Sequence, residues 1–168
     1  MKGIFVFICV LLAITTQAQF DKQVKQPKIS IGKATTLTGN LNEGNFVDLR
    51  FGTRASVNCF AEKEKHQFNG KHVFYTFQVP AGTKVLVDLY GKVDMSLYGY
   101  LIDAKRYDIP PHLENVSKFG CKSSHAPNKG QERILLAAGT VPMNVIIAVV
   151  GANESENGDF TLKITTKK

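Results

Sequence analysis

Tryptophan is absent from this 168-residue chain, and methionine and cysteine occur only three times each. Beyond the first 14 residues no apolar run approaches the roughly 20 residues that a membrane-spanning helix needs. Catalytic and cofactor signatures are missing too. There is no His-Glu-x-x-His pair, no Gly-x-Ser-x-Gly elbow and no glycine-rich phosphate loop, which removes the commonest zinc-protease, hydrolase and nucleotide-binding routes. No Cys-x-x-Cys pair marks a structural zinc site. The histidines at 66, 72, 112 and 125 have no diagnostic spacing and are expected as surface or loop residues. No long amphipathic helix pattern appears either. These absences point away from an enzyme and away from a helical fold.

What is present begins with Lys2, an apolar run from Ile4 to Ile14, and Thr16-Gln17-Ala18. That order predicts a secretory signal peptide over residues 1–18, cleaved after Ala18, and a secreted or periplasmic product with no transmembrane span after processing. The remaining 150 residues suffice for one domain with a substantial core. The formal charge of +7 falls to +6 with the loss of Lys2. Lysines 22, 25, 28 and 33 cluster near one end and Lys163, Lys167 and Lys168 at the other, with mixed charges between. This is a solvated surface with basic termini, and no nucleic-acid partner is expected. Two cysteines remain, Cys59 and Cys121. In an exported chain an even pair predicts a disulfide; the alternative joins both with His125 as metal ligands.

Residues 19–33 are polar, lysine-rich and without an apolar period, and are expected to form a flexible basic lead-in to a β-sandwich domain over 34–168. In that domain Val73, Tyr75, Phe77 and Val79 share one face of a strand, as do Val85, Val87 and Leu89 in the next. Pro80-Ala81-Gly82-Thr83 turns between them and is expected to make a central hairpin. Further strands are expected near 35–41, 46–49, 54–60 and 93–102, the last with Asp94, Ser96, Tyr98 and Tyr100 on a polar and aromatic face. A continuous apolar strand over Val145–Val150 reads as buried on both faces. The closing strand places Phe160, Leu162 and Ile164 inward, after a polar hairpin loop over 153–159. Residues 103–131 form an irregular loop, with a short helix expected over 112–118. The fold class that follows is all-β, a single antiparallel β-sandwich.

Four segments, taken in order, carry a family resemblance: Phe74-Tyr75-Thr76-Phe77-Gln78-Val79-Pro80-Ala81-Gly82-Thr83; Asp94-Met95-Ser96-Leu97-Tyr98; Ala138-Gly139-Thr140 with Val145 to Val149; and Gly158-Asp159-Phe160-Thr161-Leu162. Over about residues 69–166 the chain resembles the bacterial pre-peptidase C-terminal (PPC) domain. The resemblance implies a jelly-roll-like β-sandwich and a noncatalytic accessory domain of secreted bacterial proteins, usually attached to a protease or other hydrolase. Some relatives bind calcium. The family often shows a second acid where this chain has Ser96, so only Asp94 of that pair is kept. Residues 19–68 and the two cysteines lie outside the resemblance.

The expected function is therefore a secreted noncatalytic binding or accessory module, with a protein or carbohydrate ligand outside the cytoplasm. The alternative is a small secreted inhibitor or immunity-type protein that acts through the 103–131 loop. An enzyme with a site assembled from scattered residues is the third reading. No cofactor is expected, with calcium as the one candidate: Asp94, Asp103 and Asp108 could form an oxygen-rich cup, although calcium takes about six to eight oxygens, most of which carbonyls and waters would have to supply. For ligand binding the candidates are Tyr90, Tyr98, Tyr100 and Tyr107, whose rings could form a platform for a sugar or peptide. A second packed layer that buries some of them is the competing outcome.

Overall fold

The computed structural model describes residues 24–53, 57–110, 112, 120–127 and 131–168. The expected leader lies outside them, as does all of the expected 112–118 helix except His112. Among the described residues nine strands form: β1 Val24–Lys25, β2 Ala34–Asn40, β3 His72–Val79, β4 Lys84–Gly91, β5 Met95–Asp103, β6 Cys121–Ser124, β7 Glu132–Ala137, β8 Met143–Gly151 and β9 Asp159–Lys167. They make two sheets, one ordered β1-β3-β8-β5-β6 and the other β2-β9-β4-β7. The fold is an all-β sandwich, and every pairing is antiparallel except the short β1 beside β3. The lead-in thus differs from expectation: Val24 is buried and anchors the chain ten residues before Ala34.

Period-two alternation builds the space between the sheets. Val73, Tyr75, Phe77 and Val79 from β3 meet Val85, Val87 and Leu89 from β4, with Val145, Ile147 and Val149 from β8 and Phe160, Leu162 and Ile164 from β9. Each fully buried side chain of this size contributes about 1.5–3 kcal/mol of transfer free energy.

The expected central hairpin is not one. β3 pairs with β8 and β1, whereas β4 pairs with β9 and β7. Pro80–Thr83 therefore arches from one sheet to the other, and the two inward faces meet across the core instead of lying side by side. Gly82 supplies the positive φ of +73° that this turn requires. The similar Ala138-Gly139-Thr140 stretch arches back between β7 and β8. The two arches bond to each other, Gly82 N–H to the Gly139 carbonyl at 2.7 Å and Ala138 N–H to the Thr83 carbonyl at 2.8 Å. Residues 153–159 likewise join opposite sheets, β8 to β9, and are not a hairpin loop.

A second core lies on the other face of the larger sheet. Phe74, Tyr98, Tyr100, Ile102, Ile146, Ala148 and Val150 point there and are covered by Leu49, Phe51, Val57, Phe60 and Phe68. The covering layer uses short 3-10 helices, Leu49–Phe51 and Glu62–Phe68, and the described residues of the strands expected at 46–49 and 54–60 form no strand. The reason is local. Asp48 accepts the Arg50 N–H at 3.0 Å and turns the chain before a ladder can form. Phe60 stacks on Phe68 at 4.5 Å, and Tyr98 meets both rings edge-on at about 6 Å.

Cys59 and Cys121 are joined by a disulfide, with Cα atoms 4.6 Å apart. The bond ties the covering layer to β6 and takes up both sulfurs that the metal alternative needed. Replacing both cysteines with Ala is expected to destabilise the protein by about 2–4 kcal/mol in urea denaturation. A loss below about 0.5 kcal/mol would mean that aromatic packing alone holds the layer.

Candidate functional site

A concavity opens at one end of the smaller sheet. Three adjacent strands put Thr38, Thr161 and Tyr90 in one row, since Thr38 lies opposite Thr161 and Thr161 opposite Tyr90. The neighbouring row brings Asn40 opposite Asp159, and the Asn40 amide donates to the Asp159 carboxylate at 2.6 Å. A 3-10 helix, Leu41–Glu43, follows directly, begun by Asn40, whose side chain accepts the Asn42 N–H. Glu43 thereby reaches the same rim. Lys92 closes the other side, and the cavity measures about 660 Å³.

The electrostatics of this groove are nearly balanced. Glu43 pairs with Lys25, whose hydrogen bond and charge hold the carboxyl below the usual carboxylate range. Tyr90 keeps 42 % of its surface exposed, and Phe160 lies beneath the groove at 3 %. Gly39 allows this closeness: a Cβ there would come within 2.5 Å of the Phe160 ring and 2.6 Å of the Tyr75 hydroxyl. The result is one exposed aromatic face amid carboxylate, amide and hydroxyl groups.

The structure separates the four candidate tyrosines. Tyr90 lines the groove and Tyr107 sits in the loop after β5, 37 % exposed. Tyr98 and Tyr100 are fully buried in the second core, where burial pushes both phenols well above their usual range. A single tyrosine platform is therefore not formed. The three candidate acids are dispersed as well. Asp94 precedes β5 and Asp103 ends it, about 30 Å apart at the rise of an extended strand. Asp108 accepts from Arg106. One calcium ion cannot bridge that span, and among the described residues no group of three or more His, Cys, Asp or Glu side chains is gathered for a metal.

Of the histidines, His66 and His112 are exposed as expected, while His72 is buried at the start of β3 and departs from that expectation. His125 lies 2.8 Å from the Ser96 hydroxyl, a pair that sequence spacing did not suggest. Such a pair has the reach of a nucleophile and base. Here the hydroxyl is fully buried and donates to the Gln67 carbonyl at 2.5 Å. The nearby Glu132 carboxylate accepts from Ser124 Oγ and Ala126 N–H, both at 2.6 Å. These bonds fasten loops to the sheet. The groove itself escaped sequence reading because Asn40 and Asp159 are 119 residues apart; the outward parity of Tyr90 was its one visible sign.

Comparison with known proteins places similar structures beside this one. The crystal structure of Aeromonas hydrophila PliG, a periplasmic lysozyme inhibitor of g-type lysozyme, is 13 % identical over 86 % of this chain and 96 % of that one, with a TM-score of 0.49. The pre-peptidase C-terminal domain of collagenase from Bacillus anthracis is 13 % identical over 89 % of this chain and 100 % of that one, with a TM-score of 0.39. Salmonella Typhimurium PliG, of the same inhibitor type, is 13 % identical over 85 % and 99 %, with a TM-score of 0.41. No protein-family model and no curated protein matches the chain. Among the described residues no helix is long and apolar enough to cross a membrane.

Proposed function

We propose that this chain is an exported, noncatalytic binding module and that the Tyr90 groove takes a neutral oligosaccharide. One observation carries the reading: a half-exposed tyrosine face lies beside Asn40, Asp159, Glu43, Thr38 and Thr161 in a cavity of about 660 Å³. A sugar ring offers an apolar C–H face for the tyrosine and hydroxyls that both donate and accept. The volume falls within the range of small-molecule sites, roughly 300–1,000 Å³. With its two carboxylates matched by Lys25 and Lys92, the groove has no net positive charge to hold a polyanion. The Lys25 pairing with Glu43 preorganises the rim, so little side-chain order has to be gained on binding.

Screening the processed protein against neutral oligosaccharides should yield a binder, and Tyr90→Ala should weaken it at least about tenfold, the equivalent of 1.4 kcal/mol. The melting temperature should hardly change, because Tyr90 lies on the open face. An absence of glycan binding, or a glycan whose affinity ignores Tyr90→Ala, would overturn the assignment.

A further inference from the structure

A smaller cavity, of about 190 Å³, lies beyond Glu43 on the side of the covering layer. Phe46, Val47, Phe74, Ile109 and Pro110 supply its apolar wall, and His72 lines the polar side with Glu43, Asn45 and His112. Phe46 is 56 % exposed, although its ring is large and apolar. His72 is only 3 % exposed. Its Nδ1 lies 2.9 Å from the Gly70 carbonyl oxygen, which can only accept, so the ring proton sits on Nδ1. Nε2 is thereby an acceptor. It is buried, and among the described residues nothing donates to it. The imidazole stays in this orientation because it stacks on Phe74 and meets Tyr98 edge-on.

We propose that this cavity is a second binding site, distinct from the Tyr90 groove, and that it receives a single phenolic ring whose hydroxyl donates to His72 Nε2. Size and chemistry select that ligand class. A cavity of about 150 Å³ lined by apolar side chains holds benzene, so about 190 Å³ accommodates one ring with a hydroxyl. The buried His72 acceptor calls for one neutral donor, since Glu43, the carboxylate of the lining, is already paired with Lys25 and leaves no free counter-charge for an amine. Aromatic walls at Phe46 and Phe74 suit a flat ring. The phenol could be a free small molecule or a tyrosine side chain of a partner, which present the same group.

The test is titration of the processed protein with p-cresol, with toluene, and with a capped Gly-Tyr-Gly peptide, followed by calorimetry and by the imidazole 15N resonances of His72. The proposal expects saturable p-cresol binding at least tenfold tighter than toluene, with the His72 Nε2 resonance shifting on addition. Tighter binding of the peptide than of p-cresol assigns the site to a tyrosine of a partner, and the reverse order to a free phenol. His72→Leu should erase the preference for p-cresol over toluene, and His72→Gln, which keeps an acceptor, should restore part of it. If the Leu variant does not fold, the cresol-to-toluene ratio and the resonance shift in the unaltered protein still decide. No saturable p-cresol binding, equal affinity for toluene, or an unmoved His72 resonance overturns the proposal.

Discussion

Phe77→Ala is expected to destabilise the protein by about 3–5 kcal/mol, whereas Gln78→Ala should cost less than about 1 kcal/mol. The two residues are adjacent on β3 but point to opposite faces. Phe77 is 8 % exposed and belongs to the core between the sheets; Gln78 is exposed at the strand's outer edge. Phe77 lies opposite Val145 and Gln78 opposite Asn144, so a shift of one residue in register would exchange the two outcomes. Truncating the ring removes apolar burial and leaves a cavity between two sheets that are held apart by their other side chains. Urea denaturation of both variants reads the contrast directly. Equal and small losses would mean that β3 is not a core strand.

The second large effect is one of pH. Burial lowers the His72 pKa from 6.5 to about 3, because a charged imidazole among Phe74, Tyr98 and backbone would lose its hydration. The hydrogen bond to Gly70 opposes this shift only in part. In the unfolded chain His72 takes up a proton below about pH 6.5, while in the folded chain it stays neutral until about pH 3. The unfolded state therefore binds more protons throughout that window, and stability rises with pH across it. Its contribution is fully present above pH 6.5 and lost as the pH falls. At about 1.4 kcal/mol per unit the loss is about 2–3 kcal/mol by pH 4.5 and approaches about 5 kcal/mol at pH 3. Denaturation of the unaltered protein and of His72→Gln from pH 7.5 to 4 isolates the term, since the carboxylates are common to both. The variant should show the shallower slope. Parallel slopes would place the His72 titration elsewhere.

Strand faces were legible in the sequence because alternation is a local property. Val73 to Val79, Val85 to Leu89 and Phe160 to Ile164 all turn the expected residues inward, and the run from Val145 to Val150 is buried on both faces. Alternation gives parity and nothing about which sheet a strand joins, so Pro80–Thr83 read as a hairpin when it is an arch. The second core was hidden for a different reason. Phe51, Phe60 and Phe68 lie on 3-10 segments and irregular chain, where no period announces burial. Tyr98 and Tyr100 consequently resembled a binding surface. Tyr90 is different, because among the described residues nothing covers the outer face of β4 at its end, and its ring stays 42 % exposed. Apart from Gly91 and Lys92, which follow Tyr90 in the chain, the other groove residues arrive from β2, β9 and a 3-10 helix, and only tertiary structure assembles them. Cys59 and Cys121 were readable from their number and the expected export, since redox compartment speaks through composition.

The sheet-to-sheet arches bear on how the chain finds its fold. Among the described residues β5 and β6 are the only consecutive strands that pair with each other; every other step along the chain crosses to the opposite sheet. Even that pair is joined by a long connection. No tight local hairpin can thus form early and reward the chain for nucleating, and each ladder must wait for the closure of a longer loop. Such a topology has a high contact order, which places folding in the millisecond-to-second regime of all-β domains instead of the microseconds of local folds. During that interval apolar strands such as β8 remain unpaired on both edges and on both faces, and are open to association with other chains.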